Sequence, residues 1–253
     1  MESECSTESE TGRKIKTFGE VFMDRKNTAI VLAAGQGKRM NSRVQKQFLE
    51  LGGKPVLYYS LNCFQQSPLI TDIILVTGAE SVAFCKEEIV EKYGLTKVTK
   101  VIPGGKERYD SVYEGLLACE NSDFVLIHDG ARPFITQEIL ERGMNGARET
   151  GACVIGMPSK DTVKVADEKG FVQETPERNL VWSVQTPQIF EYSLIRNAHE
   201  KIRCGNMEGI TDDAMVVERA SGAKISLAEG SYKNLKITTP EDLDIAEIFL
   251  KNI

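Results

Sequence analysis

The stretch Thr28–Phe48, TAIVLAAGQGKRMNSRVQKQF, decides the fold class. From Ala29 to Ala34 it is apolar without alternation, the pattern of a strand covered on both faces. The run stops at Gly35 and Gly37, where the chain can turn tightly and bring its backbone close to a ligand. Lys38, Arg39, Arg43 and Lys46 follow with no acid between them. Backbone N–H groups in such a loop form a concavity that favours anions. Taken alone, the G-x-G is also compatible with a simple tight turn, and each cation with a solvated surface charge. Two common phosphate-binding patterns are absent. A P-loop needs G-x-x-x-x-G-K-[ST], but Gly37-Lys38 is followed by Arg39. The dinucleotide fingerprint needs a third glycine where Met40 stands, which also disfavours a nicotinamide oxidoreductase.

Outward from this stretch, apolar runs alternate with helical segments. DIILVTG (72–78), KVTKVIPGG (97–105), DFVLIHDG (123–130) and GACVIGMP (151–158) read as further strands. Between them, KPVLYYSLNCFQQ puts Pro55 at a helix start and Val56, Leu57, Leu61 and Phe64 on one face. A second helix, ESVAFCKEEIVEKY, ends at Gly94. RYDSVYEGLLACE is a third, and TQEILERGMNGARE a fourth, capped by Thr136. The expected fold class is α/β: a Rossmann-like three-layer α/β/α domain with a mostly parallel central sheet. The rhythm breaks between Ser159 and Phe190. There, DTVKVADEKGFVQETP reads as a hairpin with a turn around Glu168-Lys169-Gly170, an interaction arm or a solvated flap. Helices near Tyr192 to Ile202 and Asp212 to Ala220, a strand AKISLAEG and a short strand NLKIT come next. TPEDLDIAEIFL closes the chain as a helix with Thr239 as cap and Asp242 completing a capping box.

The 253 residues suit one large α/β domain, and 41% hydrophobic with 27% charged residues is ordinary for a globular protein. Residues 1–26 are polar and are expected to be a disordered tail, with Met23 a possible translation start; 27–253 are expected to be a single domain carrying the hairpin arm at 159–184. No apolar run reaches the roughly 20 residues that span a bilayer, and no signal-peptide pattern opens the chain, so neither a membrane partner nor secretion is expected. Six scattered cysteines with no C-x-x-C pair, and two histidines, argue against a Cys/His metal site and fit reduced thiols in the cytoplasm. A net charge of −6 argues against a nucleic-acid partner, so a polyanion must be met by a local basic site.

LAAGQGKRM (32–40) with Lys46 resembles the signature of small-molecule nucleotidyltransferases. PGGKERYDSV (103–112), HDGARPF (128–134), KDTVK (160–164), QTPQIF (185–190), ITDDA (210–214) and NLKITTPEDL (234–243), in that order, resemble the 2-C-methyl-D-erythritol 4-phosphate cytidylyltransferases of non-mevalonate isoprenoid biosynthesis. The resemblance spans about residues 27 to 252. It implies that CTP and methylerythritol phosphate give the CDP-alcohol and pyrophosphate. The attacking phosphate oxygen is already ionised, so positioning and charge stabilisation suffice without a general base.

The resemblance also implies residue roles. Arg39 and Lys46 would be catalytic cations on the triphosphate, with Arg132 and Lys236 beside them. Ala33, Ala34, Gly35, Gly37 and Lys38, then Gly104, Gly105, Arg108 and Ser111, would hold the nucleotide. Asp129 would contact nucleotide and alcohol and bind Mg²⁺ or another divalent cation, although in isolation a carboxylate there could equally be a loop hydrogen bond. Arg132, Thr162, Arg178, Thr211 and Lys236 would hold the alcohol phosphate. The arm would cross to a second subunit, making a homodimer with shared sites; Ser159 and Lys160 depart from the family's usual valine and arginine there. His128, alone on an apolar strand, is expected to be core. The rival readings are a ribitol-5-phosphate cytidylyltransferase and a non-catalytic nucleotide-binding homologue.

Overall fold

The computed structural model describes residues 25–35, 44–205 and 208–251. Strand β1 (Asn27–Ala33) lies near the middle of a seven-stranded sheet. Its parallel neighbours are β4 (Asp72–Thr77) on one side and β6 (Phe124–Asp129) on the other. Two short strands, β2 (Glu50–Leu51) and β3 (Lys54–Pro55), form a small ribbon between β1 and β4 in sequence. Beyond β4 lies β5 (Val98–Pro103), and β7 (Ala152–Pro158) with β11 (Ser226–Glu229) continues the other half. All of these main-sheet strands are parallel. The exception is β10 (Trp182–Glu191), antiparallel between β6 and β7.

Successive β1 side chains serve opposite faces, the period-2 consequence of the pleat. Ala29 and Val31 meet α1 (Val56–Gln66) through Leu57, Leu61 and Phe64, together with α4 (Gln137–Thr150) through Leu140 and Met144. Ile30 faces α3 (Arg108–Ala118) through Val112 and Leu116, in a layer shared with α5 (Tyr192–Arg203) and α6 (Asp213–Ser221). The unbroken apolar run of β1 is therefore what a strand buried on both faces requires. A third cluster, with Leu51, Val56, Phe134 and Ile237, packs α7 (Pro240–Leu250) against the end of the sheet. No helix among the described residues is long and apolar enough to cross a membrane.

Local signals account for most element ends. Thr136 caps α4 by accepting from the Ile139 N–H, and Gly151 ends it at φ +80°. Thr239 and Asp242 form the capping box of α7. Pro55 is the N-cap of α1 rather than its first helical residue. The second helix is less regular than its sequence suggests. A 3-10 turn (Ala79–Ser81) and α2 (Val82–Phe84) pass into a π-helical stretch, Cys85–Glu91, before Gly94 at φ +61°. The expected hairpin is present as β8 (Val165–Ala166) against β9 (Val172–Glu174).

Three sequence expectations need correction. NLKIT is not a strand: it lies alongside the sheet end, tied by the Ile237 N–H to the Ala131 carbonyl at 2.8 Å and by the Asn234 side chain to the Thr186 carbonyl at 2.9 Å. The ten-residue β10 was hidden in the expected arm and the segment after it, because Pro187 interrupts its pattern; the register shifts between Val184 and Gln188. Its first residues, Trp182 to Val184, pair with β7, so the free part of the arm ends before them. Lastly, Lys26, assigned to the tail, already joins the domain through an ion pair to Asp72 at 2.7 Å.

The protein's two histidines, His128 and His199, are both fully buried. Burial pushes each from 6.5 down to about 4. The unfolded chain takes up protons first as pH falls, so the folded state keeps this contribution above about pH 6.5 and loses it towards about 4. Thermal melting across that window should show a falling midpoint. His199→Phe should shallow the fall, since neither ring nitrogen has a hydrogen-bond partner among the described residues and the ring stacks on Tyr113. An unchanged slope would remove His199 from the account.

Candidate active site

The chain leaves β1 for β4 on one side, and β6 returns to its other side, so a crevice opens at the carboxyl ends of the strands where ligands bind in such sheets. A cleft of about 760 Å³ occupies it. Each wall is a strand end or the loop after it: Ala33, Ala34 and Gly35 after β1, Gly78 after β4, Gly104 and Gly105 after β5, and Asp129 closing β6. Lys46, Arg108, Ser111 and Lys236 complete the ring. Gln47 braces the first loop from behind, donating to the Ala33 carbonyl at 2.6 Å while its residue is almost wholly buried.

Helix α3 points its N-terminus into the cleft, an arrangement suited to anions. Glu107 caps it through a capping box with Asp110, and Arg108 is its first residue. The cation therefore leaves the first turn towards β6. Arg108 Nε lies 3.2 Å from Asp129 Oδ1, and Arg108 Nη2 lies 2.8 Å from Asp213 Oδ2. Lys236 Nζ meets the other Asp129 oxygen at 2.5 Å. Asp129 is only 8% exposed. Burial by itself would raise its carboxyl pKa, but the Arg108 and Lys236 charges outweigh that and hold it well below the usual carboxylate range. Arg108, half-buried between two acids, is held above its ordinary value because their charges outweigh the cost of desolvation.

The backbone of Asp129 is fixed by a second chain of bonds. His128 Nε2 faces the Arg132 carbonyl at 3.2 Å, which can only accept, so that nitrogen carries the proton. Nδ1 of the neutral ring then accepts from the Thr186 hydroxyl at 3.0 Å, and Thr186 Oγ1 accepts the Asp129 N–H at 3.1 Å. His128 also packs edge-on against Phe64, as a core residue does.

The cleft thus brings together Ala33, Ala34, Gly35, Lys46, Gly104, Gly105, Arg108, Ser111, Asp129 and Lys236. Gly37, Lys38 and Arg39 lie outside the described residues. Arg132 is not among the residues lining the cleft; its guanidinium donates to the Asn234 carbonyl at 2.8 Å, and burial lowers its pKa, with Asp129 opposing. Thr162 and Arg178 sit exposed on the arm, Arg178 bonded to the Lys160 carbonyl at 3.4 Å. Thr211 is exposed before α6 and does not line the cleft. Gln47, Thr186, Asn234 and Asp213 went unnoticed in the sequence. Thr186, Asn234 and Asp213 lay inside the quoted motifs QTPQIF, NLKITTPEDL and ITDDA without being singled out.

A strand-end cleft with a basic rim, backbone N–H groups and one buried carboxylate defines a nucleotidyltransferase of small molecules. The profile of the 2-C-methyl-D-erythritol 4-phosphate cytidylyltransferase (IspD) family matches residues 27–252. The chain belongs to that family. A protein of that name from Lachnoclostridium phytofermentans is 51% identical over 226 residues, covering 89% of this chain and 97% of the relative. One from Clostridium botulinum (Loch Maree, type A3) is 49% identical over 229 residues, covering 90% and 99%. Among solved structures, the 4-diphosphocytidyl-2C-methyl-D-erythritol synthase of Anaerococcus prevotii superposes with a TM-score of 0.79 at 35% identity, covering 90% of this chain and 99% of that one.

Gly104 offers a direct test of the cleft wall. A Cβ there would stand 2.6 Å from Ser111 Oγ and 2.9 Å from Ala34 Cβ. Gly104→Ala should force α3 and the first loop apart at a cost of about 1–3 kcal/mol. Denaturant midpoints should fall and CTP binding, followed by calorimetry, should weaken. Wild-type affinity in the variant would mean that this wall does not face the nucleotide.

Proposed function

We propose that the chain joins CTP and 2-C-methyl-D-erythritol 4-phosphate into 4-diphosphocytidyl-2-C-methyl-D-erythritol, releasing pyrophosphate. Family membership over nearly the whole length supports this, and the observation that carries it in the geometry is the Lys46–Arg108–Lys236 rim around Asp129. A phosphate oxygen of the alcohol attacks the α-phosphorus in line. The new P–O bond forms as the bond to the β-phosphate bridging oxygen breaks, and pyrophosphate leaves with that electron pair. No proton need be removed from the nucleophile, and neither histidine lines the cleft. Lys46 and Arg39 would neutralise charge growing on the phosphates, and Lys236 with Arg132 would hold the alcohol phosphate near Asp129. Cations of this kind matter because two anions must meet in a partly dry cleft.

The reaction is assigned a divalent cation, with Mg²⁺ the choice the donors favour. Among the described residues no three His, Cys, Asp or Glu side chains converge as a cage. Asp129 alone fits an ion that takes most of its ligands from phosphates and water. When bound, such an ion would supply further neutralisation of the phosphate oxygens.

The arm is assigned to a homodimer, where Thr162 and Arg178 would reach the partner's cleft. Its large apolar residues are exposed: Phe171 is 70% and Leu180 73% accessible. The described cysteines are free thiols, in keeping with a cytoplasmic enzyme.

Pyrophosphate release tests the reaction. It should require CTP with methylerythritol phosphate and Mg²⁺, and ribitol 5-phosphate should be a poor substitute. A reversed preference, or CTP binding with no turnover, would overturn the assignment. Lys46→Ala or Arg39→Ala should lower kcat by about 10²–10³, the magnitude for one lost stabilising donor, with an unchanged melting curve. Phe171→Asp should shift sedimentation towards the monomer, and an unshifted boundary would detach the arm from assembly.

A further inference from the structure

We infer that Asp213 is a positioning residue for this reaction: it holds Arg108 from behind the cleft, so that Arg108 touches Asp129 with one nitrogen only. The inference rests on the reaction assigned above, and nothing in the sequence motifs gives Asp213 a role.

Asp213 is the first residue of α6 and its side chain is wholly buried. Its carboxylate has no part in holding that helix. Asp212 is the cap, accepting the Met215 N–H at 2.9 Å. Gln188 of β10 clamps the same turn, accepting the Asp213 and Ala214 N–H groups at 3.0 Å each and donating to Asp212 at 2.9 Å. A buried carboxylate with no local structural partner is costly unless it is paired. Among the described residues, the ion pair it makes is with Arg108 at 2.8 Å. Its titratable neighbour His199 cannot serve instead, because burial pushes that ring down to about 4 and leaves it neutral.

The two contacts of Arg108 are unequal. Nη2 forms an ion pair with Asp213 at 2.8 Å, without hydrogen-bond geometry, whereas Nε donates a hydrogen bond to Asp129 Oδ1 at 3.2 Å. A guanidinium and a carboxylate left to themselves tend to close face to face through two parallel bonds. The Asp213 charge opposes this by drawing Nη2 away from Asp129. Asp129 thereby stays fixed and ionised yet keeps an edge available for substrate. Without Asp213, Arg108 is free to close on Asp129 or to swing towards the triphosphate, and either would misplace the carboxylate.

The test uses Asp213→Asn, Arg108→Met and the double variant of the full chain. Asp213→Asn keeps the shape and the backbone clamp. It should lower kcat about 10- to 100-fold, as loss of a supporting partner does, with KM for CTP little changed. In the Arg108→Met background the same substitution should cost no further activity. Multiplying losses, or wild-type kcat in Asp213→Asn, would overturn the inference. Melting gives a second cycle that needs no substrate. Arg108→Met strands a buried charge and should lower the midpoint sharply, and adding Asp213→Asn should recover part of the loss. Additive falls would sink the coupling. A wild-type protein with no turnover would fault the assigned reaction, while the melting cycle would still decide the pairing.

Discussion

A carboxylate that is 8% exposed at the end of a parallel strand needs compensating charge, and Asp129 finds it in Arg108 and Lys236. The requirement organises the surrounding elements. Arg108 must leave the first turn of α3, so that helix must start where its capping box sets it. Lys236 must reach across from the chain before α7, so NLKIT is held at the sheet end by Asn234 and by the Ile237–Ala131 bond. Asp213 must back Arg108, so α6 is pinned by Gln188 from the antiparallel strand. Three distant segments converge on one acid, two directly and one through Arg108, each held by its own hydrogen bonds.

The same topology shapes the rim of the cleft. Strand ends in a parallel sheet all face one way, so loops after β1, β4, β5 and β6 share a single rim. A sheet buried on both faces leaves that rim as the natural place for a ligand. The cleft contains cations and backbone N–H groups but no histidine, which suits a nucleophile that arrives already charged.

Much of the fold was legible because burial on both faces writes a simple pattern. Continuous apolar runs at Ala29–Ala34 and Ile73–Val76 could be little else, and Thr136 and Thr239 marked helix starts through their own side-chain chemistry. β10 was missed for an equally physical reason. It is a central strand with Pro187 in its middle, and a residue lacking an N–H breaks both the pattern and the ladder. NLKIT erred the other way: its residues favour a strand, but among the described residues no strand pairs with it. In the site, glycines and cations beside strand ends were visible as local motifs. Gln47, Thr186 and Asp213 were not, since each acts on a residue outside its own secondary-structure element, and ordinary polar residues carry no mark of what they will touch.

By itself, the sequence determined that the chain forms a mostly parallel α/β sheet and that two glycines and a run of cations follow its first strand, because hydrophobic period and local composition are local properties. It also determined the family, through short motifs in a fixed order. Only the tertiary structure decided which charges neutralise one another. Arg108 lies between acids 21 residues ahead of it and 105 residues ahead of it, at Asp129 and Asp213. Coulomb energy depends on distance in space and on exclusion of water, and neither exists until the layers have packed.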